Sequence, residues 1–156
     1  AEKKCAEISQ KTEAQLVQIK ERTKSSMELE RSRKMLETKQ TLIAEVIDKA
    51  KAQIRELPDE EYFALILKIA DKAIHEGEGI VFLSSKDLAR MPKDFEDKIK
   101  AIAEGRQAKM SVSKDAIDIE GGFVLSYGGI EENCTLEAIF ADKKEELSDL
   151  VQKLLF

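Results

Sequence analysis

Residues 1–57 contain neither glycine nor proline, and no other feature constrains the fold of this 156-residue chain as strongly. The stretch is dense in Glu, Lys, Gln, Arg and Ala, all strong helix formers. At a rise of 1.5 Å per residue, one uninterrupted helix over these residues is roughly 85 Å long. Helices of globular domains average only about 11 or 12 residues. The chain opens on Ala1 in mid-pattern, which fits either a removed Met or a fragment whose helix extends further upstream.

The apolar positions of this stretch are sparse and regular. Cys5, Ile8, Thr12, Leu16, Ile19, Thr23 and Met27 follow one another in steps of 3, 4, 4, 3, 4 and 4 residues. A second series, Ser32, Met35, Lys39, Ile43, Val46, Ala50, Ile54 and Leu57, starts after a five-residue step and repeats the pattern. Steps of 3-4-4 make an 11-residue repeat, about 3.67 residues per turn, and helices that follow it wrap right-handed. A strict heptad fails already between Leu16 and Met27. A stripe this narrow cannot bury itself alone and asks for a partner helix. Its Thr, Ser and Lys members predict a loosely packed seam. A solvated lone helix is the alternative, but isolated helices are marginal without packing, and the second series is strongly apolar after Leu42.

Charge divides the chain. Residues 1–57 carry 13 Lys+Arg against 10 Asp+Glu, and residues 58–156 carry 13 against 21. The interspersed signs along the first stretch suggest an exposed surface laced with ion pairs. The acidic remainder argues against nucleic-acid binding, which needs a basic stripe. No apolar run approaches the length of a membrane span, and no signal segment is visible. Cys5 and Cys134 have no metal-ligand spacing and read as reduced thiols. Asn133-Cys134-Thr135 matches a glycosylation sequon by coincidence.

Leu57-Pro58 ends or bends the long helix, which places the domain boundary there: residues 1–57 form a coiled-coil arm and residues 58–156 a globular head. Asp59 is a natural N-cap for a helix running to about His75, whose apolar residues from Tyr62 to Ile74 cover more than half its circumference. Gly77 and Gly79 break that helix. Ile80–Leu83 reads as a central strand covered on both faces. Ser84 and Asp87 suggest a capping pair for a short helix stopped by Met91-Pro92. Phe95, Ile99 and Ile102 mark a further helix up to Gly105, and Lys109–Val112 another strand. Ile117–Glu120 alternates as a half-exposed strand, turning through Gly121-Gly122 into Phe123–Tyr127 as a hairpin. From Thr135 the apolar spacing is helical to the last residue. The expected fold class is α+β: a long N-terminal helix, then a small domain of three or four strands packed by helices.

No constellation for catalysis emerges. His75 sits at a helix end with no nucleophile and orienting group beside it. The two Gly pairs lack the strand, lysine and helix context of a phosphate loop, and read as turns. Asp115, Asp118, Glu120, Glu131 and Glu132 lack the spacing of a calcium loop. No catalytic, cofactor-binding or metal residue is assigned.

Gly121-Gly122-Phe123-Val124-Leu125, then Asn133-Cys134-Thr135-Leu136-Glu137-Ala138, then a helix closing in Leu154-Leu155-Phe156, resembles the E subunit of the archaeal and bacterial V-type (A/V-type) rotary ATPases. The specific motifs are confined to residues 121–138 and 154–156, and family members usually begin with a longer helical segment. The resemblance implies a non-catalytic peripheral-stalk, or stator, component at the cytoplasmic face of a membrane complex. It implies a helical partner of the G or H type, a head-binding end that docks near the N-terminal β-barrel of the B subunit of the head, and a membrane stator component reached by the N-terminal end. Neither nucleic-acid binding nor direct membrane insertion is implied. Ile8, Leu16, Ile19, Met27, Met35, Ile43, Val46 and Ile54 are expected to face the partner helix, so charged substitutions at Ile43 and Val46 are expected to abolish co-purification with it. Three alternatives stand beside this reading: a flagellar or secretion-type export stator, an enzymatic or ligand-binding domain with a coiled-coil oligomerisation arm, and a homodimeric coiled-coil adaptor.

Overall fold

The computed structural model describes all residues, 1–156. The first helix, α1, runs unbroken from Glu2 to Arg55. The chain divides into two compact units, Ala1–Ala44 and Glu45–Phe156.

In the first unit every residue after Ala1 is helical, and nearly every side chain faces solvent. Thr12, Thr38 and Thr41 turn their hydroxyls back to donate to the carbonyls of Ile8, Lys34 and Glu37, a local solution open to a β-branched hydroxyl inside a helix. Ile43 is the exception to exposure and is buried.

The second unit contains the last turns of α1 and the α+β head. The helices are α2 (Asp59–Ala73), α3 (Ser85–Arg90), α4 (Phe95–Glu104), α5 (Leu136–Asp142) and α6 (Lys144–Leu155), and the strands are β1 (Gly77–Phe82), β2 (Ala108–Val112), β3 (Gly122–Tyr127) and β4 (Ile130–Thr135). They form one sheet in the order β2-β1-β3-β4. β1 is parallel to β2 and antiparallel to β3, and β3 is antiparallel to β4. The parallel pair is joined through α3 and α4, the crossover that parallel neighbours require.

Alternation along the strands decides where the core lies. Val81, Leu83, Met110, Phe123 and Leu125 point to one face and are buried. Tyr62, Phe63, Ile66, Ala70 and Ile74 of α2 and its C-cap pack there, with Phe95, Ile99 and Ala103 of α4. The rings of Phe63 and Phe95 meet edge-on at 5.1 Å. Ile54 and Leu57, where α1 ends, pack against the same cluster while remaining half-buried.

Several local expectations are corrected. Asp59 is the first residue of α2 and not its cap: Pro58 takes the cap position and offers no side-chain hydrogen bond. Gly77 and Gly79 lie within β1, because α2 has already ended at Ala73. β1 is central but covered on one face, since Ile80 on the other is 41% exposed. Ile117–Glu120 forms no strand. Ile117 makes only an isolated bridge to Ser84. The hairpin is β3–β4, turning through Gly128-Gly129, both at positive φ. The C-terminal helical stretch is two helices, broken at Lys143.

Replacing Phe95, 1% exposed, with Ala removes a ring from the middle of the helix–sheet layer. The head should lose about 3–5 kcal/mol, measured as a fall in the urea unfolding free energy with an unchanged m-value.

Candidate interaction surfaces

The motif residues 121–138 fold into one local structure. Gly122 pairs with Thr135 and Phe123 with Cys134 across the β3–β4 ladder, so the two sequence elements are neighbours in space. Gly122 has φ +79°, and a Cβ there would stand 2.5 Å from the Cys134 carbonyl oxygen and 2.7 Å from the Thr135 Cα. Both obstacles are backbone and cannot step aside, so glycine is required at this position. The Gly121 carbonyl accepts from Leu136 N at 3.1 Å. Asn133 Oδ1 accepts from Thr135 N, and Thr135 Oγ1 accepts from Ala138 N to cap α5. Asn133 is therefore occupied in closing its own turn.

Behind Gly122 lies a buried polar knot. The Tyr62 hydroxyl donates to Asp87 Oδ2 at 2.7 Å and accepts from Gly122 N at 3.0 Å. Arg90 donates to Asp87 Oδ1 through Nε at 3.0 Å and Nη2 at 2.8 Å. Its guanidinium carbon lies 4.1 Å from the centre of the Tyr62 ring, and Nη1 reaches Asp59 at 3.3 Å. Burial works against the Arg90 charge, but the Asp87 contacts outweigh it and hold its pKa above the ordinary value. Asp87, read from the sequence only as a capping residue, thus joins α3 to α2, and the Tyr62 hydroxyl carries the link on to β3. Asp87 does not reciprocate the Ser84 cap, although Ser84 Oγ accepts from Asp87 N. Nothing in the spacing of Tyr62, Asp87 and Arg90 could have shown this, because 25 residues separate the tyrosine from the aspartate. No buried side-chain nitrogen or oxygen lacks a partner.

His75 stacks on Tyr127 with ring centres 4.1 Å apart. Its backbone N–H donates to the Tyr127 hydroxyl at 3.1 Å, and its Nε2 lies 3.8 Å from Glu132. It ties the end of α2 to the hairpin. Glu120, expected on a strand face, instead pairs with Arg55 in a groove also lined by Asp48, Lys51 and Glu137. Cys5 is exposed and Cys134 buried, both as free thiols.

On the arm, Ile8, Leu16, Ile19, Met27 and Met35 are each more than half exposed, and Val46 is 39% exposed. Ile43 is buried, and Ile54 rests against the head core. The two apolar series do not share one face. At about 98° per residue for an 11-residue repeat, the second is turned by about 130° around the helix from the first. The arm is also less laced with ion pairs than its interspersed charges suggest. Lys51–Asp48, at 3.9 Å, is formed within α1, yet Lys4, Lys11, Lys20, Arg22, Lys24 and Arg31 take part in none. No helix is long and apolar enough to cross a membrane.

These features define a protein of two parts: a small α+β domain whose buried polar groups satisfy one another, and a long helix with uncovered apolar side chains. The family model described as ATP synthase (E/31 kDa) subunit matches residues 1–156, and the chain belongs to that family. It is 35% identical over 106 residues to the V-type ATP synthase E subunit of Acetivibrio thermocellus, covering 67% of this chain and 54% of the relative. It is 31% identical over 140 residues to the V-type proton ATPase E subunit of Clostridium botulinum strain Loch Maree, covering 87% of this chain and 69% of the relative. The V-type proton ATPase E subunit of Thermoanaerobacter pseudethanolicus is 27% identical over 126 residues, which cover 80% of this chain and 63% of the relative. The chain thus spans between about half and two thirds of the length of these relatives.

Burial raises the Tyr62 hydroxyl to about 12 and the Cys134 thiol to about 11, and it pushes Tyr127 upward as well. Each holds its proton more tightly folded than unfolded, so this stability is complete at low pH. It is lost as pH rises from about 9 toward 12. The urea midpoint should fall across that window, and Tyr62→Phe should flatten the fall above pH 10. At pH 7 the same substitution should cost about 1–3 kcal/mol, because Gly122 N loses its acceptor and Asp87 a donor.

Proposed function

We propose that the chain is a peripheral-stalk component of a V-type rotary ATPase, with no chemistry of its own. Residues 1–57 serve as the arm and residues 58–156 as the head-binding domain. The arm pairs with a helical subunit of the G or H type. The globular end docks near the N-terminal β-barrel of the B subunit of the head, and the N-terminal end approaches the membrane stator component at the cytoplasmic face. The stalk so formed stops the catalytic head from turning with the rotor while ions are translocated and ATP is made or hydrolysed elsewhere.

The observation that carries this reading is the row of exposed apolar residues from Ile8 to Met35 on a helix without a break. Each such side chain gains about 25 cal/mol per Å² when a partner removes it from water, and nothing in the first unit does so. A rod is also what the task needs, since a helix pair resists stretch while allowing twist. Family membership supplies the complex in which such a rod has work to do.

Because Ile43 is already buried in this chain, a charge there would disturb the chain itself. Ile19 and Met27 are the cleaner positions. Ile19→Glu with Met27→Glu should abolish co-purification with the co-expressed ATPase subunits, while thermal unfolding of the isolated chain shifts by no more than about 3 °C, as expected for two exposed sites. Unchanged yield of the complex overturns the assignment.

A further inference from the structure

The first apolar face, Cys5 to Met27, differs from the second in what borders it. On the wheel of an 11-residue repeat, Lys4, Lys11 and Arg22 fall along one edge, and Lys20, Lys24 and Arg31 along the other. Glu2 and Glu13 are the acids on these edges, both toward the N-terminal end. Glu7 and Glu21 lie away from the face. A shallow concavity is lined by Ile19, Thr23 and Met27 together with Lys20, Lys24 and Arg31, which places these cations beside the apolar strip; Glu28 and Glu30 also line it, Glu30 on the line of Ile8 and Ile19 just past Met27, and Lys34 lies at its C-terminal end. None of the six bordering cations is ion-paired within the chain. The second face is bordered by Leu36, Gln40, Ile47 and Lys51 along one edge and by Thr38, Leu42, Lys49 and Gln53 along the other, so only two cations flank it.

We propose that the Cys5–Met27 face seats a partner helix whose own apolar stripe is bordered by Asp and Glu. The proposal rests on the stalk reading and adds the chemistry of the mate. Charges that flank a helix seam set partner choice and orientation. Where the seam excludes water, cations facing cations are penalised and cations facing carboxylates are favoured. A second copy of this chain is disfavoured by the same argument, because Arg22 of one would meet Lys20 and Lys24 of the other. An anionic lipid surface is the other occupant that basic borders suit. The arm contains no Phe, Tyr or Trp before Tyr62, however, and Thr12 and Thr23 interrupt the stripe, whereas interfacial helices use bulky apolar anchors.

The experiment uses the full chain and a purified helical stalk subunit of the G or H type, with affinity measured at about 50 mM and about 500 mM salt. The variant Lys20→Glu/Lys24→Glu/Arg31→Glu should bind at least roughly tenfold more weakly at low salt, with the difference shrinking at high salt. The control Glu7→Lys/Glu21→Lys, on the far side, should bind as the wild type does. If the triple cation reversal binds normally while Ile19→Glu abolishes binding, the acidic-border inference fails and the stalk reading survives. If Ile19→Glu also binds normally, the stalk seam itself fails. Wild-type chain that sediments with phosphatidylglycerol vesicles but not phosphatidylcholine vesicles, and that ignores the helical stalk partner, overturns the proposal in favour of a lipid surface.

Discussion

One tyrosine hydroxyl organises the head. The Tyr62 hydroxyl donates a hydrogen bond to Asp87 and accepts one from the Gly122 N–H, so a single atom fixes α2 against the start of α3 and the start of β3. Desolvation makes this arrangement all-or-none. A buried hydroxyl, carboxylate or amide left without a partner costs more than a formed bond gains, and the full set of bonds forms only when all three elements are in place. Arg90 closes the set by neutralising Asp87 and lying over the tyrosine ring. Gly122 can join only because it has no side chain where the Thr135 backbone passes. A helix–sheet layer of aliphatic residues alone would tolerate sliding. This knot sets a register.

The arm obeys the opposite economy. Its backbone is self-sufficient, since a helix satisfies its own hydrogen bonds, but its side chains are not. Apolar residues every three or four positions stay in water along residues 1–35, and cations stand beside them unpaired. Helical propensity makes the rod, and nothing within residues 1–44 covers its apolar surface. The five-residue step between Met27 and Ser32 turns the apolar face around the axis while the helix continues unbroken, so a straight partner cannot follow both halves along one line. Family membership comes through sequence similarity, and the uncovered stripe is a separate fact about surface left unburied.

The glycine and asparagine motif shows why a recognisable signature need not mark chemistry. Gly121-Gly122 and Asn133-Cys134-Thr135 are cross-strand neighbours. Their side chains and backbone amides cap, turn and permit close approach. The motif could be read in the sequence as a family resemblance, but its physical meaning could not, because ladder pairing joins residues whose separation carries no periodic signal.

Composition and periodicity by themselves determined the long helix, the narrow stripe on it, the broad apolar face of α2, and the α+β class. These depend on interactions a few residues apart, which propensity and the 3.6-residue turn report directly. The burial of Phe95, Ile99 and the β3 strand was legible for the same reason. Ile117–Glu120 was misread as a strand because alternation records the chance to pair and not the presence of a neighbour. Only the tertiary structure decided that β4 takes that place in the hairpin, that β1 is covered on one side, and that Asp87 serves Tyr62 and Arg90 more than its own helix end. The Tyr62–Asp87 contact spans 25 residues, and even in the nearer hairpin burial selects among pairings that the local sequence leaves equal.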